Sequence, residues 1–240
     1  MTSPLPSPAL PTPPSLVLLD LDGTLTDSAP GIMGSMRHAL AEAGFPVPDD
    51  ERLRAIVGPP LHESLLLLGV PQDRVDELIG LYRAAFVAGG MFDNAVFPGI
   101  PEALGALQDA GVRMVVATSK PEVYARQIVE HFGLAPYLDG GVDGVFGADA
   151  DGGPRSAKAQ VVAHALASVA ARRAAAGEPM PAADATVMVG DREHDVLGAR
   201  EHGLRTVSVG WGYAVPGEIE EAGPAATVAT PAELVHLLVA

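Results

Sequence analysis

The chain has 240 residues, 48% of them hydrophobic, no cysteine and a formal net charge of −15. Disulfides, thiolate nucleophiles and cysteine-ligated zinc are excluded, and the acidic balance argues against nucleic acid, which normally needs a basic footprint. No stretch approaches the roughly 18–20 apolar residues of a membrane span, so the expected setting is the reducing cytoplasm with no membrane partner.

In chain order, the first fourteen residues carry six prolines with Ser and Thr between them and no basic residue. That composition reads as a disordered tail over 1–14 rather than a signal peptide. Leu16–Leu21 is an apolar run bounded by a Gly turn, the pattern of a buried strand. It runs into Asp20-Leu21-Asp22-Gly23-Thr24. Open α/β sheets place their ligands at the carboxyl ends of strands. A buried strand gains no stability from two acidic residues at its tip, because burying ionised groups costs free energy unless a partner compensates.

Between Asp27 and Val96 the patterns are helical, with no convincing strand. Ile32, Met36 and Leu40 recur at helical spacing, and Val75, Leu78, Ile79, Tyr82 and Phe86 mark one face of another helix. Gly58-Pro59-Pro60 breaks the middle of this region. Roughly 65 residues exceed an ordinary loop, so 29–96 reads as a small inserted helical cap. Strands are expected at Val112–Thr118, Val142–Phe146, Thr186–Gly190, Leu204–Val209 and Thr227–Ala229. Helices are expected at Pro101–Ala110, Pro121–His131, Ser156–Ala176, Asp195–His202 and Pro231–Val239. Asp139–Pro154, rich in Gly and Asp, reads as a loose exposed loop around one short strand. Alternating strands and helices indicate an α/β protein with a doubly wound, Rossmann-like parallel sheet, its core formed by 15–28 and 97–240.

The strand ends carry the chemistry. Asp20 and Asp22 end the first, Thr118-Ser119 the second, and Gly190-Asp191 a later one, with Asp195 close behind. Lys158 lies near the start of a helix that can face the same edge. This set suits Mg²⁺-assisted phosphoryl transfer. Mg²⁺ takes hard oxygen ligands, and a carboxylate can attack phosphorus while a neighbouring carboxyl moves the proton. Hydroxyl, backbone N–H and lysine would hold the phosphoryl oxygens. Each residue alone has an ordinary reading. Asp-x-Asp-Gly is often a turn, Asp191 suits a helix N-cap, Ser119 with Glu122 has capping-box spacing, and Lys158 alone suits a solvated surface position. Their co-occurrence at successive strand ends, in this order, does not.

Asp20-Leu21-Asp22-Gly23-Thr24, Thr118-Ser119-Lys120, Lys158 and Gly190-Asp191-Arg192-Glu193-His194-Asp195 resemble, in order and spacing, the four motifs of the haloacid-dehalogenase-like hydrolase superfamily. Thr26-Asp27-Ser28-Ala29-Pro30-Gly31, Gly58-Pro59-Pro60 and Phe97-Pro98-Gly99-Ile100 look like its phosphoglycolate-phosphatase-like branch. The resemblance implies Asp20 as nucleophile and Mg²⁺ ligand. It implies Asp22 as general acid/base, offering its backbone carbonyl to the metal. Thr118 and the backbone at Ser119 would bind the phosphoryl group, and Lys158 would neutralise it. Asp191 would ligate Mg²⁺, with Asp195 as ligand or support. Asp22 speaks against haloalkanoate dehalogenases and phosphonatases, and Ile32 stands where mutases resembling beta-phosphoglucomutase carry a His.

The expected function is therefore Mg²⁺-dependent hydrolysis of a small phosphorylated metabolite, of phosphoglycolate or nucleoside monophosphate type, by a monomer or homodimer. The cap residues Arg37, Arg54, His62 and Glu63 are candidates for substrate contact. Two alternatives remain open. One is phosphotransfer to an acceptor other than water, since some actinobacterial relatives are described as protein-tyrosine kinases. The other is a binding module with a retained site. The seven His show no paired metal spacing, and Trp211 and Tyr213 read as loop-packing residues.

Overall fold

The computed structural model describes residues 10–150 and 153–240. In chain order, β1 (Leu16–Leu19) and the short β2 (Thr26–Asp27) precede four helices, α1 (Ala29–Glu42), α2 (Asp50–Ala55), α3 (Leu61–Leu67) and α4 (Val75–Ala85). After β3 (Ala95–Val96) come α5 (Ile100–Asp109), β4 (Arg113–Pro121), α6 (Glu122–His131) and β5 (Val145–Ala148). The chain ends with α7 (Lys158–Ala175), β6 (Thr186–Gly190), α8 (Glu193–Arg200), β7 (Arg205–Val209), α9 (Glu218–Ala222), β8 (Ala226–Val228) and α10 (Pro231–Val239).

Six strands form one parallel sheet in the order β5-β4-β1-β6-β7-β8. Its two faces pack against different helices. Val17 and Leu19 join a core with residues of α5, α6 and α10, whereas Leu16 and Leu18 meet Val161, Val162 and Val169 of α7 and Ala199 of α8. Alternation along β1 therefore buries every residue, each Leu or Val contributing about 1.5–3 kcal/mol when fully removed from water. This is why the strand reads as a continuous apolar run.

Helices α1 to α4 occupy the chain between β2 and β3, which pair antiparallel and bring the two connections of this segment side by side. These strands break the expectation of a strand-free interval. At two residues each they are too short to leave a periodic signal. α4 continues into a π-helical turn, Phe86–Gly90, which lies against α1. The approach needs glycine on both sides: a Cβ on Gly31 would lie 1.8 Å from Gly90 O, and one on Gly90 would lie 2.2 Å from Ser35 Oγ. The first nine residues of the expected tail lie outside the described residues, while Leu10 packs on the core.

Several boundaries differ from expectation for physical reasons. β1 stops at Leu19 because the chain turns: the Leu21 carbonyl accepts N–H bonds from Leu25 and Thr26. β4 runs on to Pro121 with a register shift after Thr118, so Ser119 belongs to the strand and does not cap α6, whose first flanking residue is Pro121. Glu122 accepts instead from Gly147 N and Arg155. Val142 falls in a short 3-10 turn (Gly141–Gly144), and β5 starts at Val145. Asp139–Pro154 is not loose in the part described. β5 is buried throughout, and Asp149 accepts from the Arg155 N–H at 3.1 Å and its guanidinium at 2.6 Å.

Candidate active site

β1, β4 and β6 are adjacent, and Leu19 stands opposite both Val116 and Val189. The residues just past these positions therefore leave three neighbouring strands at one edge. Asp20 and Asp22 follow β1, Thr118 lies near the end of β4, and Asp191 follows β6. α7 points its first residue at the same place. All of these side chains are buried, as are Lys158 and Asp195.

Lys158 is the hub. Its Nζ lies 2.8 Å from Asp20 Oδ1 and 2.7 Å from Asp195 Oδ1, and it donates to Ala117 O at 3.0 Å. Three donors on an ammonium thus find three acceptors. Burial works against its charge, but the carboxylates of Asp195 and Asp20 hold its pKa above the ordinary lysine value. Asp20 is pushed up to about 6, by burial first, with Lys158 pulling it down and Asp195 adding to the rise.

Asp20, Asp191 and Asp195 each offer a carboxylate oxygen, and the three oxygens lie within 4.8 Å of one another. Asp191 accepts from Tyr213 N at 2.8 Å and from Thr24 Oγ1 at 3.2 Å. Burial, then the charges of Asp195 and Asp20, push its carboxyl well above the usual carboxylate range. Keeping it ionised requires further positive charge, since four buried carboxylates here face the ammoniums of Lys158 and Lys120. Hard oxygen donors with an excess of negative charge fit a divalent cation of the Mg²⁺ class.

Asp191 does not cap α8. The helix is flanked by Arg192, and Asp195 in its first turn reaches back to accept from Arg192 N at 3.1 Å. Both Asp195 oxygens are thus engaged, one by Lys158 and one by this N–H. The Asp22 side chain stays apart from the three-carboxylate group and pairs with Lys120 Nζ at 2.8 Å. The Thr118 hydroxyl accepts from Lys120 N at 3.2 Å, and the half-buried Ser119 faces a cavity.

Tight geometry fixes the loop that carries the two leading carboxylates. Gly23 has φ +80°, and a Cβ there would lie 2.2 Å from Asp191 Oδ2. No other residue allows both that conformation and that approach.

Three contributors escaped the sequence reading. Lys120 stood in a quoted motif without a role, and past the register shift after Thr118 both it and Ser119 line the cavity. Tyr213 packs its loop as expected, but it also spans the site. Its N–H serves Asp191, its hydroxyl donates to Asp27 Oδ1 at 2.7 Å, and that hydroxyl accepts from Ala29 N at 3.0 Å. Arg192 pairs with Glu218 at 2.7 Å and also donates to Val57 O, joining the sheet edge to the helical segment. Of the candidate cap contacts, His62 lines the cavity, while Arg37 pairs with Asp50 at the surface and Arg54 lies 5.3 Å from the centroid of the Tyr213 ring.

The cavity, about 570 Å³, lies between the sheet edge and α3–α4, with Asp22, Ser119 and Lys120 on the sheet side. A family model described as haloacid dehalogenase-like hydrolase matches residues 14–203. The chain belongs to that family. It is 48% identical over 200 residues to the tyrosine-protein kinase PtkA of Mycobacterium tuberculosis, covering 83% of this chain and 63% of that protein. The chain thus spans less than two thirds of that relative's length. A solved structure of PtkA from the same organism superimposes with a TM-score of 0.78 at 45% identity, over 94% of this chain and 98% of that one. A 5'-nucleotidase of Pseudomonas aeruginosa is 38% identical over 209 residues, 87% of this chain and 88% of its own. A phosphoglycolate phosphatase of Caulobacter vibrioides is 31% identical over 205 residues, 82% and 79% of the two chains. Among the described residues no helix is long and apolar enough to cross a membrane.

Proposed function

We propose that the protein is a Mg²⁺-dependent phosphomonoester hydrolase that works through a phosphorylated Asp20 on a small phosphorylated compound in the cytoplasm. One observation carries the reading: Asp20 sits buried at a strand end, 2.8 Å from Lys158, inside a group of three carboxylates. Family membership and the phosphatase names among the relatives support it.

In this reading Asp20, Asp191 and the Asp22 carbonyl would hold Mg²⁺, with Asp195 as ligand or support. Bound there, the ion would neutralise phosphoryl oxygens and keep the carboxylates ionised. An Asp20 carboxylate oxygen attacks phosphorus and the bond to the ester oxygen breaks. The leaving oxygen takes a proton from Asp22. Asp22 regains that proton in the second step, so the proton count closes over one turnover. Water then attacks the phospho-Asp20, Asp22 accepts its proton, and inorganic phosphate leaves with Asp20 regenerated. Lys158, Thr118 and the N–H groups at Ser119 balance the phosphoryl charge throughout. Segment 29–96 acts as the cap that excludes water during the first step.

The test is phosphate release from a panel of phosphomonoesters, with and without Mg²⁺ and with Asp20→Asn alongside. Release abolished by EDTA and by the substitution is expected. Release that survives Asp20→Asn refutes Asp20 as nucleophile. Identity to PtkA favours a second reading, transfer to a protein hydroxyl. Label passing from ATP to a protein acceptor, lost in Asp20→Asn, would replace the hydrolase reading.

A further inference from the structure

The cavity above Asp22 has a composition that bears on the leaving group. Three aromatic rings form one wall. Tyr82 and Phe86 lie nearly parallel with centroids 5.7 Å apart, and Tyr124 meets Phe86 edge-on, also at 5.7 Å. Phe86 is buried, while Tyr82 and Tyr124 are half-buried and line the space. Ile56, Leu61 and Ile79 add aliphatic surface. The Lys120 ammonium lies 4.8 Å from the centroid of Phe86 while paired with Asp22, so the rings begin where the reacting oxygens end.

The charges on the lining point away from an anionic leaving group. Asp22, Asp76 and Asp149 face the cavity with Lys120, Arg83 and His62; Asp149 is paired with Arg155 and His62 with Gln72, which leaves the Asp76 carboxylate without a cation among the lining residues. Lys120 serves Asp22, and Arg83 donates to Ala150 O. A carboxylate entering here would be desolvated near Asp76 with Lys120 and Arg83 already engaged. A volume of about 570 Å³ also far exceeds what a two-carbon acid fills. It lies within the range of about 300–1,000 Å³ common for ligand pockets.

We propose that this cavity selects a phosphomonoester whose leaving group is uncharged and carries a flat aromatic ring, seated against Tyr82, Phe86 and Tyr124. The inference rests on the phosphomonoester reading above and names its substrate class. Two sources share this chemistry: an aryl phosphate, with its ring at the ester oxygen, and a nucleoside 5′-phosphate, with its ring beyond the sugar.

The experiment compares phenyl phosphate, adenosine 5′-monophosphate, ribose 5-phosphate and 2-phosphoglycolate with the Mg²⁺-loaded protein. kcat/KM is measured for wild type, Tyr124→Leu and Tyr124→Phe. Binding of the same four compounds is titrated calorimetrically to Asp20→Asn protein with and without Tyr124→Leu. One of the two aromatic compounds is expected to exceed ribose 5-phosphate and 2-phosphoglycolate by about tenfold or more, as stacking on side-chain rings permits. Tyr124→Leu is expected to cut that preference about 3- to 10-fold, and Tyr124→Phe to keep it. Which aromatic compound leads decides between the two sources. A lead by 2-phosphoglycolate, or preferences unmoved by Tyr124→Leu, overturns the inference and leaves the hydrolase reading standing. No turnover of any compound, with the aromatic preference intact in the titration, sinks the hydrolase reading and keeps the pocket assignment. Neither turnover nor binding overturns both.

Discussion

Tyr213→Phe removes a single oxygen from a side chain that is 3% exposed. That oxygen donates to Asp27 Oδ1 at 2.7 Å and accepts from Ala29 N at 3.0 Å. The ring stays, so the change measures hydrogen bonding rather than packing. Asp27 is half-buried and recovers water, whereas Ala29 is buried and its N–H is left without an acceptor. A lost bond to a carboxylate is worth about 1.5–3 kcal/mol and an unpaired buried N–H about 1–3, with recovered solvation offsetting part. A net cost of about 2 kcal/mol follows, or a Tm drop of about 4–8 °C for a chain this size. Urea unfolding of wild type, Tyr213→Phe, Asp27→Ala and the double variant would give a coupling of about 1 kcal/mol or more between the two side chains. A Tyr213→Phe protein within 0.5 kcal/mol (about) of wild type, with no coupling, would refute the claim that this hydroxyl ties the 210–217 loop to the start of α1.

Glu218→Gln should cost about 3 kcal/mol, because it breaks a buried pair with Arg192 while leaving one acceptor for the N–H groups of Glu193 and Val215. Burial opposes ionisation of Glu218, but the Arg192 bond and those N–H groups hold its pKa below the ordinary 4.5. Its stabilisation is therefore present above that pH and lost as pH falls through the lowered value. A wild-type advantage that grew on acidification would contradict this sign. Gly23→Ala should lower kcat/KM about a hundredfold by pushing Asp191 aside, and steady-state turnover near wild type would rule out the tight fit. Lys158→Met should destabilise the metal-free protein by about 3–5 kcal/mol through the unpaired Asp20 and Asp195. Mg²⁺ should recover part of that loss in a thermal melt, and a melting temperature indifferent to both changes would argue against the charge balance drawn here.

Much of the fold was legible because its signals are local. A parallel strand covered on both faces is apolar at every position, so Leu16–Leu19 and Thr186–Gly190 stand out without a partner in view. The amphipathic stretches around Met36 and Leu78 likewise name their buried face. Ends were less legible. Whether Ser119 caps a helix or extends β4 depends on the register of β5, which local sequence does not encode. β2 and β3 exist only because the chain returns to itself after about 70 residues of helical structure, a loop whose closure cost grows slowly with length.

The sequence by itself determined which chemical groups are available and in what order they occur along the chain: Asp20, Asp22, Thr118, Lys158, Asp191 and Asp195. Only the tertiary structure decided their pairing. The order β5-β4-β1-β6 makes neighbours of strand ends far apart in the chain. It gives Lys158 to Asp20 and Asp195, gives Lys120 to Asp22, and brings Tyr213 against Asp191. The same is true of the ring wall, where Tyr82 and Phe86 on the helical segment meet Tyr124 on α6. Hydrophobic periodicity reports that a face is buried but not what covers it. Charge pairing and aromatic contact are set by that second fact, which depends on how the strands and helices assemble.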